Sequence, residues 1–132
     1  MFQNALSFTG DLSQWRTPEL HHVAHMFDNA INYEGGQDLA FWDTSQFRDM
    51  SAMFKHAVRF VGDISRWNTS ETLEMDEIFH NALVFNGDLS RWDTSKVITM
   101  ARAFRNATKF TGMGSGGGIS QWNVQSVRNF YA

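Results

Sequence analysis

The nine residues Gly87-Asp88-Leu89-Ser90-Arg91-Trp92-Asp93-Thr94-Ser95 recur as Gly62-Asp63-Ile64-Ser65-Arg66-Trp67-Asn68-Thr69-Ser70, and in altered form around Trp15, Trp42 and Trp122. All five tryptophans of the 132-residue chain therefore stand in copies of one motif, spaced by 27, 25, 25 and 30 residues. A period of this size implies a stack of like units, none of which can bury its apolar face alone. The copies divide a single repeat domain, residues 1–132, into a partial unit 1–15, units 16–42, 43–67, 68–92 and 93–122, and a partial unit 123–132. Because the chain starts and stops within a unit, a longer array or a partner assembly covering open ends is expected.

Within unit 43–67 the apolar residues Phe47, Met50, Met53, Phe54, Ala57, Val58, Phe60 and Val61 fall on one arc of a helical wheel. Arg48, Asp49, Ser51, Ala52, Lys55, His56 and Arg59 fill the rest, so the pattern predicts a half-buried helix from about Ser45 to Arg59. Where other units read Thr-Ser, the second reads Thr17-Pro18, and proline suits a first helical position. Thr17, Thr44, Thr69 and Thr94 are then expected as N-caps, with Val124 leaving the last helix poorly capped. Gly10, Gly35, Gly62, Gly87 and Gly112 mark turns read as needing a permissive backbone. Asp-(Leu/Ile)-Ser-x-Trp after each glycine is expected to be a short strand, with Ile64 in the core and Trp67 at a bend folding back over the helix. The resulting expectation is an α/β fold: a curved, leucine-rich-repeat-like solenoid with one short strand and one helix per unit. Strands stack at about 4.8 Å and helices at about 8–10 Å, and that mismatch would supply the curvature.

Composition narrows the function. A net charge of -3 and a pI near 5.9 offer no basic field for nucleic acid. The absence of cysteine excludes disulfides and thiolate metal sites. No apolar run approaches the length of a membrane span, and no signal-peptide pattern is visible in the residues given.

His21 and His25 have metal-ligand spacing on a helix, with His22 beside them, but no carboxylate completes the set, and a solvated face is the better reading. Asp11, Asp38, Asp63 and Asp88 would form a ladder able to hold calcium, as would Asp43, Asn68, Asp93 and Asn123. Asx residues at turns more often bond their own backbone two residues on. The Trp ladder could stack on sugars, but aromatic residues recurring in register are better read as core. The Thr ladder is too narrow for an ice-binding array. Asn68-Thr69-Ser70 and Asn106-Ala107-Thr108 match the glycosylation sequon. No phosphate loop, nucleophile elbow or paired-carboxylate motif is present, so no cofactor and no enzymatic activity are expected. Extra residues near Gly36-Gln37 and in Met113–Gly117 put two loops on one edge, where repeat insertions often mark a binding face. The candidate interaction residues are Asp63, Ser65, Asp88 and Ser90 on the strand surface, and Gly36, Gln37, Met113 and Ser115 on that edge.

The string from Phe85 to Ala107, Phe-x-Gly-Asp-Leu-Ser-x-Trp-Asp-Thr-Ser-x-Val-x-x-Met-x-x-x-Phe-x-x-Ala, resembles the surface-protein repeat of BspA-type and mycoplasma lipoprotein-type bacterial proteins. The resemblance extends over essentially the whole chain and departs from the pattern at Arg16, Pro18, Ala40-Phe41, Thr72 and Gly118. It implies attachment at a cell surface, or secretion, and binding to other proteins without a catalytic centre. The expected function is a non-enzymatic protein-interaction module, either an adhesin or a scaffold subunit of a larger assembly. The alternative is a ligand-binding solenoid, taking glycan or calcium at the strand surface or the glycine-rich edge.

Overall fold

The computed structural model describes residues 1–113 and 118–129. Among them the one helix is a four-residue 3-10 segment, Gly118–Gln121, and the only sheet-like pairing is a series of isolated parallel bridges, His22 to Asp49 to Glu74 to Thr99 to Asn129. The expected leucine-rich-repeat-like solenoid, with a strand and a helix in every unit, is therefore overturned. The chain is built almost wholly of tight turns.

Backbone hydrogen bonding around unit 43–67 shows what replaces the helix. The N–H groups of Met50, Ala52, Phe54 and His56 donate to the carbonyls of Glu74, Asp76, Ile78 and His80 in the next unit, at 2.9, 2.7, 2.9 and 2.8 Å. The alternate N–H groups of Met53, Lys55 and Ala57 close turns onto Met50, Ala52 and Phe54, at 3.2, 3.2 and 3.1 Å. Asp49, Ser51, Met53 and Lys55 in turn offer their carbonyls to Val23, His25, Phe27 and Asn29 of the unit before. The Ser51 N–H, left over from both series, donates to Asp49 Oδ1 at 2.9 Å. From Asp49 to His56 every backbone group is thus satisfied, half within the unit and half between units. A helix would have satisfied the same groups locally and left neighbouring units unlinked.

The turns require left-handed residues. Ala52 and His56 have φ of 52° and 56°, each at the third position of a turn, where the type II geometry demands a positive value. Equivalent pairs are His25 and Asn29, Glu77 and Asn81, and Arg102 and Asn106. Asn29, Asn81 and Asn106 are residues of a type that tolerates this conformation. Ala52, Glu77 and Arg102 carry no such signal, because their conformation is imposed by the links on either side.

Inside lie three aromatic columns. One runs Phe2, Phe27, Phe54, Phe79, Phe104, with successive ring centroids 5.4, 5.5, 5.6 and 5.5 Å apart. The second runs Phe8, Tyr33, Phe60, Phe85, Phe110, at 5.3, 6.2, 5.7 and 6.0 Å. Within a unit the two columns touch face to face, as Phe54 and Phe60 do at 4.1 Å. The tryptophans form the third, with Trp67 and Trp92 stacked at 6.2 Å and 2°. Each indole N–H from Trp42 onward reaches back to a carbonyl of the preceding unit: Trp42 to Leu12, Trp67 to Leu39, Trp92 to Ile64 and Trp122 to Leu89, at 3.2, 2.8, 3.0 and 3.0 Å. Trp67 and Ile64 are both buried, so the tryptophans are core, as expected, though no helix lies beneath them. This spacing of 5–6 Å is the physical reason the helices fail to form. Helix axes need about 8–10 Å, and neither the ring columns nor the backbone links between units could reach across that gap.

Other expectations are corrected by the same logic. Thr17, Thr44, Thr69 and Thr94 cap no helix. Each buried hydroxyl donates to the carbonyl of Asp43, Asn68, Asp93 or Asn123 in the following unit, at 2.9 to 3.1 Å. Ala52, placed by the helical wheel on the polar side, is buried, while Val61 from the apolar side is 57% exposed. Gly62 has no positive φ, and a Cβ there would lie 2.7 Å from the Phe60 ring, so it is small to admit that ring. Gly35 answers to both demands, with φ of +81° and a Cβ position 2.4 Å from the same ring. Thr72, which departs from an apolar position, is fully buried with its hydroxyl donating to the Phe47 carbonyl at 3.0 Å.

Candidate interaction surface

The Asp-x-Ser pattern forms Asx turns. Asp63 Oδ1 accepts from the Ser65 N–H at 3.0 Å and from the Ser65 hydroxyl at 2.7 Å, and Asp88 Oδ1 accepts from the Ser90 N–H at 2.9 Å. The same turn recurs at Asp11, Asp43, Asn68, Asp93 and Asn123. The Ser65 hydroxyl and amide hold the Asp63 carboxyl below the usual carboxylate range, and Ser45 and Ser95 do the same for Asp43 and Asp93. Asp63, Ser65, Asp88 and Ser90 are all half-buried.

The four full units bring most of the sequence-designated residues to one edge. The Asp63 N–H donates to the Gly36 carbonyl at 2.9 Å, and Asp88 is near enough to oppose the charge on Asp63. Next to Asp88, Asn86 accepts from the Thr111 N–H at 2.9 Å, and the Thr111 hydroxyl accepts in turn from the Met113 N–H at 3.3 Å. Gly36, Gln37 and Met113 are exposed, Met113 to 80%. Ser115 lies outside the described residues. Behind Gly36 is an open hollow of about 500 Å³, bordered by Glu34, Asp38 and Arg59. Its charges are spoken for: Arg59 bonds Glu34 at 2.6 Å, and its ring, Tyr33, is 1% exposed.

Reading along the chain missed a second polar face. His25 Nδ1 lies 2.8 Å from Asp28 Oδ2, and His56 Nδ1 lies 3.6 Å from Asp28 Oδ1. The His56 and His80 rings are 5.6 Å apart, and His80 Nδ1 is buried, without a hydrogen bond, 3.7 Å from Glu77. Glu77 also pairs with Lys55 and with Arg102, the latter at 3.4 Å. Lys55 holds the Glu77 carboxyl below its ordinary value, and burial pushes the His80 imidazole down. Among the described residues no three His, Asp or Glu side chains converge to hold a metal ion. The face was legible only down the columns. Positions 25, 52, 77 and 102 carry His, Ala, Glu and Arg, while 28, 55, 80 and 105 carry Asp, Lys, His and Arg, so opposite charges meet between units.

His21 and His22 sit apart from this network. Both are exposed, and without a helix the spacing of His21 and His25 loses the metal-ligand meaning it would have had. His21 instead gives its carbonyl to the Arg48 and Asp49 N–H groups. Among the described residues no helix is long and apolar enough to cross a membrane.

A repeat so regular in both sequence and hydrogen bonding can be set against known families. A model of the family described as "Mycoplasma protein of unknown function, DUF285" matches residues 1–38 and again 31–132. The chain belongs to this family. The two matches overlap and together run the length of the chain, as expected where one repeat model fits a tandem array in more than one place. No curated protein and no solved structure matches the chain. Family membership makes the chain compatible with a surface repeat protein.

Proposed function

We propose that this DUF285 chain is a non-enzymatic protein-interaction module of the BspA-like surface-repeat kind, working either in cell-surface adhesion or as a scaffold within a larger assembly. The observation that carries the reading is the fixed register of the units. Because backbone bonds and ring columns lock one unit to the next, outward side chains stand in rigid rows, and a partner meets a surface whose ordering entropy is already spent on folding. The edge formed by Gly36, Gln37, Asp63, Asp88 and Met113 is the part of that surface where insertions interrupt the rows. Its polar groups mostly serve their own turns, which suits recognition by shape and rim contacts rather than chemistry.

Site-directed photocrosslinking tests this. A photoreactive residue at exposed Gln37, on the edge, is expected to capture discrete protein partners on cells of the source organism or its host. The same probe at exposed Arg48, away from the edge, is expected to capture none of them. Equal capture from both positions, or no protein adduct from Gln37, would overturn the reading.

A further inference from the structure

Three departures from the repeat that the sequence shows separately meet in one place. Arg16 stands where the other units have Asp43, Asn68, Asp93 and Asn123. Pro18 stands where they have Ser45, Ser70 and Ser95. Phe41 stands where they have Gln14, Arg66, Arg91 and Gln121. In the structure all three line one open hollow of about 370 Å³, together with Trp15, Gln14 and Asp43.

Two of these departures, Phe41 and Arg16, have no structural need behind them. Phe41 is 73% exposed and belongs to no aromatic column, so its ring contributes nothing to the core. Trp15 stacks on Trp42 at 6.1 Å, yet is 37% exposed where Trp42, Trp67 and Trp92 are at most 5% exposed. Arg16 is exposed and forms no ion pair among the described residues, unlike Arg59 and Arg102. The substitution also replaces an acidic or neutral side chain in its row by a cation. An exposed large aromatic, a second exposed ring face and an unpaired guanidinium around one cavity are what a binding site needs and a folding unit does not.

We propose that this hollow binds an acidic saccharide. The Phe41 and Trp15 rings would meet the C–H faces of sugar rings, and Arg16 would take a uronic carboxylate through its planar fork of donors. Gln14 and Asp43 sit beside them as partners for hydroxyl groups. A saccharide fits better than a peptide segment. The apolar lining is the rings of Trp15, Pro18 and Phe41, with no Leu, Ile, Val or Met to form a slot for a peptide side chain. The volume also suits about one or two sugar rings, within the range of small-ligand pockets. The hollow at Gly36 lacks both qualifications, its cation being paired and its ring buried. This site is separate from the protein-binding edge and stands or falls independently of it.

The test is titration of the full chain, followed by tryptophan fluorescence, because Trp15 is the most exposed of the five indoles. The probes are a hyaluronan tetrasaccharide, the neutral chitin tetrasaccharide and an acidic peptide of similar charge. The expected result is saturable binding of the hyaluronan fragment, at least fivefold weaker for the chitin fragment and absent for the peptide. Phe41→Arg and Arg16→Asn each restore a residue found at the same place in other units and should fold normally. Each is expected to weaken hyaluronan binding tenfold or more with an unchanged thermal melt. No saturable binding, equal binding of the neutral sugar, tighter binding of the peptide, or full affinity in both variants would overturn the proposal.

Discussion

Trp67 does two things in the fold: it fills the third aromatic column and it ties its unit to the Leu39 carbonyl. Trp67→Ala is expected to cost about 3–5 kcal/mol, the range for deleting a large buried aromatic, measured as a shift in urea midpoint at constant slope. A loss below about 1 kcal/mol would mean that the column carries little. Asp63→Ala removes only local bonds to Ser65 at a half-buried position and should cost about 1 kcal/mol. Gly62→Ala is the sharper probe, because the change is a single methyl. The Phe60 ring would have to move away from a Cβ otherwise 2.7 Å distant, at a cost of about 1–3 kcal/mol. The Gly-Phe pairing could be seen in the sequence as a recurrent Phe-x-Gly, but its reason could not, since ring position is a tertiary fact.

At the level of the unit, a helix and a chain of turns make opposite predictions for one substitution. Ala52 is buried with φ of 52°, a conformation that costs a residue with a Cβ about 1–2 kcal/mol. Ala52→Gly is therefore expected to leave stability unchanged or raise it by about 1 kcal/mol, whereas in a helix interior it would lower stability by about 1 kcal/mol. The far-ultraviolet circular dichroism of the chain should correspondingly lack the helical double minimum. The periodicity that pointed to a helix is real: Phe47, Met50, Met53, Phe54, Ala57 and Phe60 are all fully buried. Alternating turns point residues inward at steps of three and four just as a helix does. The pattern of inward residues was legible, and the backbone that produces it was not.

Across the whole molecule, electrostatics make stability fall in acid. Asp11, Asp43, Asp63, Asp93, Glu71 and Glu77 all have carboxyls held below their ordinary values by hydrogen bonds, from serine amides and hydroxyls or from Lys96 and Lys55. The unfolded chain binds protons more readily than the folded one in this range. Their contribution is thus present above the unfolded carboxylate values, near 4, and lost as pH falls through the lower folded values. His80 acts in the same direction but earlier. Its imidazole is pushed down by burial, so the unfolded chain takes up a proton first as pH drops below about 6.5. The urea midpoint is expected to decline gently from about pH 6.5 and steeply below about 4, and His80→Gln should remove the first phase. Exposed pairs such as Arg59–Glu34 and Lys96–Glu71 should add little, and that little should vanish in high salt.

The sequence by itself determined that this chain is a tandem repeat, that the recurring Phe, Met and Trp positions supply most of the core, and that the Asx residues bond their own backbone two residues on. Those features depend on composition at a fixed period, or on bonds spanning two residues, and both are written locally. Only the tertiary structure decided that, among the described residues, the units hold no α-helix and no strand beyond isolated bridges. That choice follows from stacking aromatic rings at 5–6 Å and from sharing backbone hydrogen bonds between residues about 25 positions apart, neither of which a single unit expresses. It also decided which departures from the repeat belong together, since Arg16, Pro18 and Phe41 become one site only when consecutive units lie side by side.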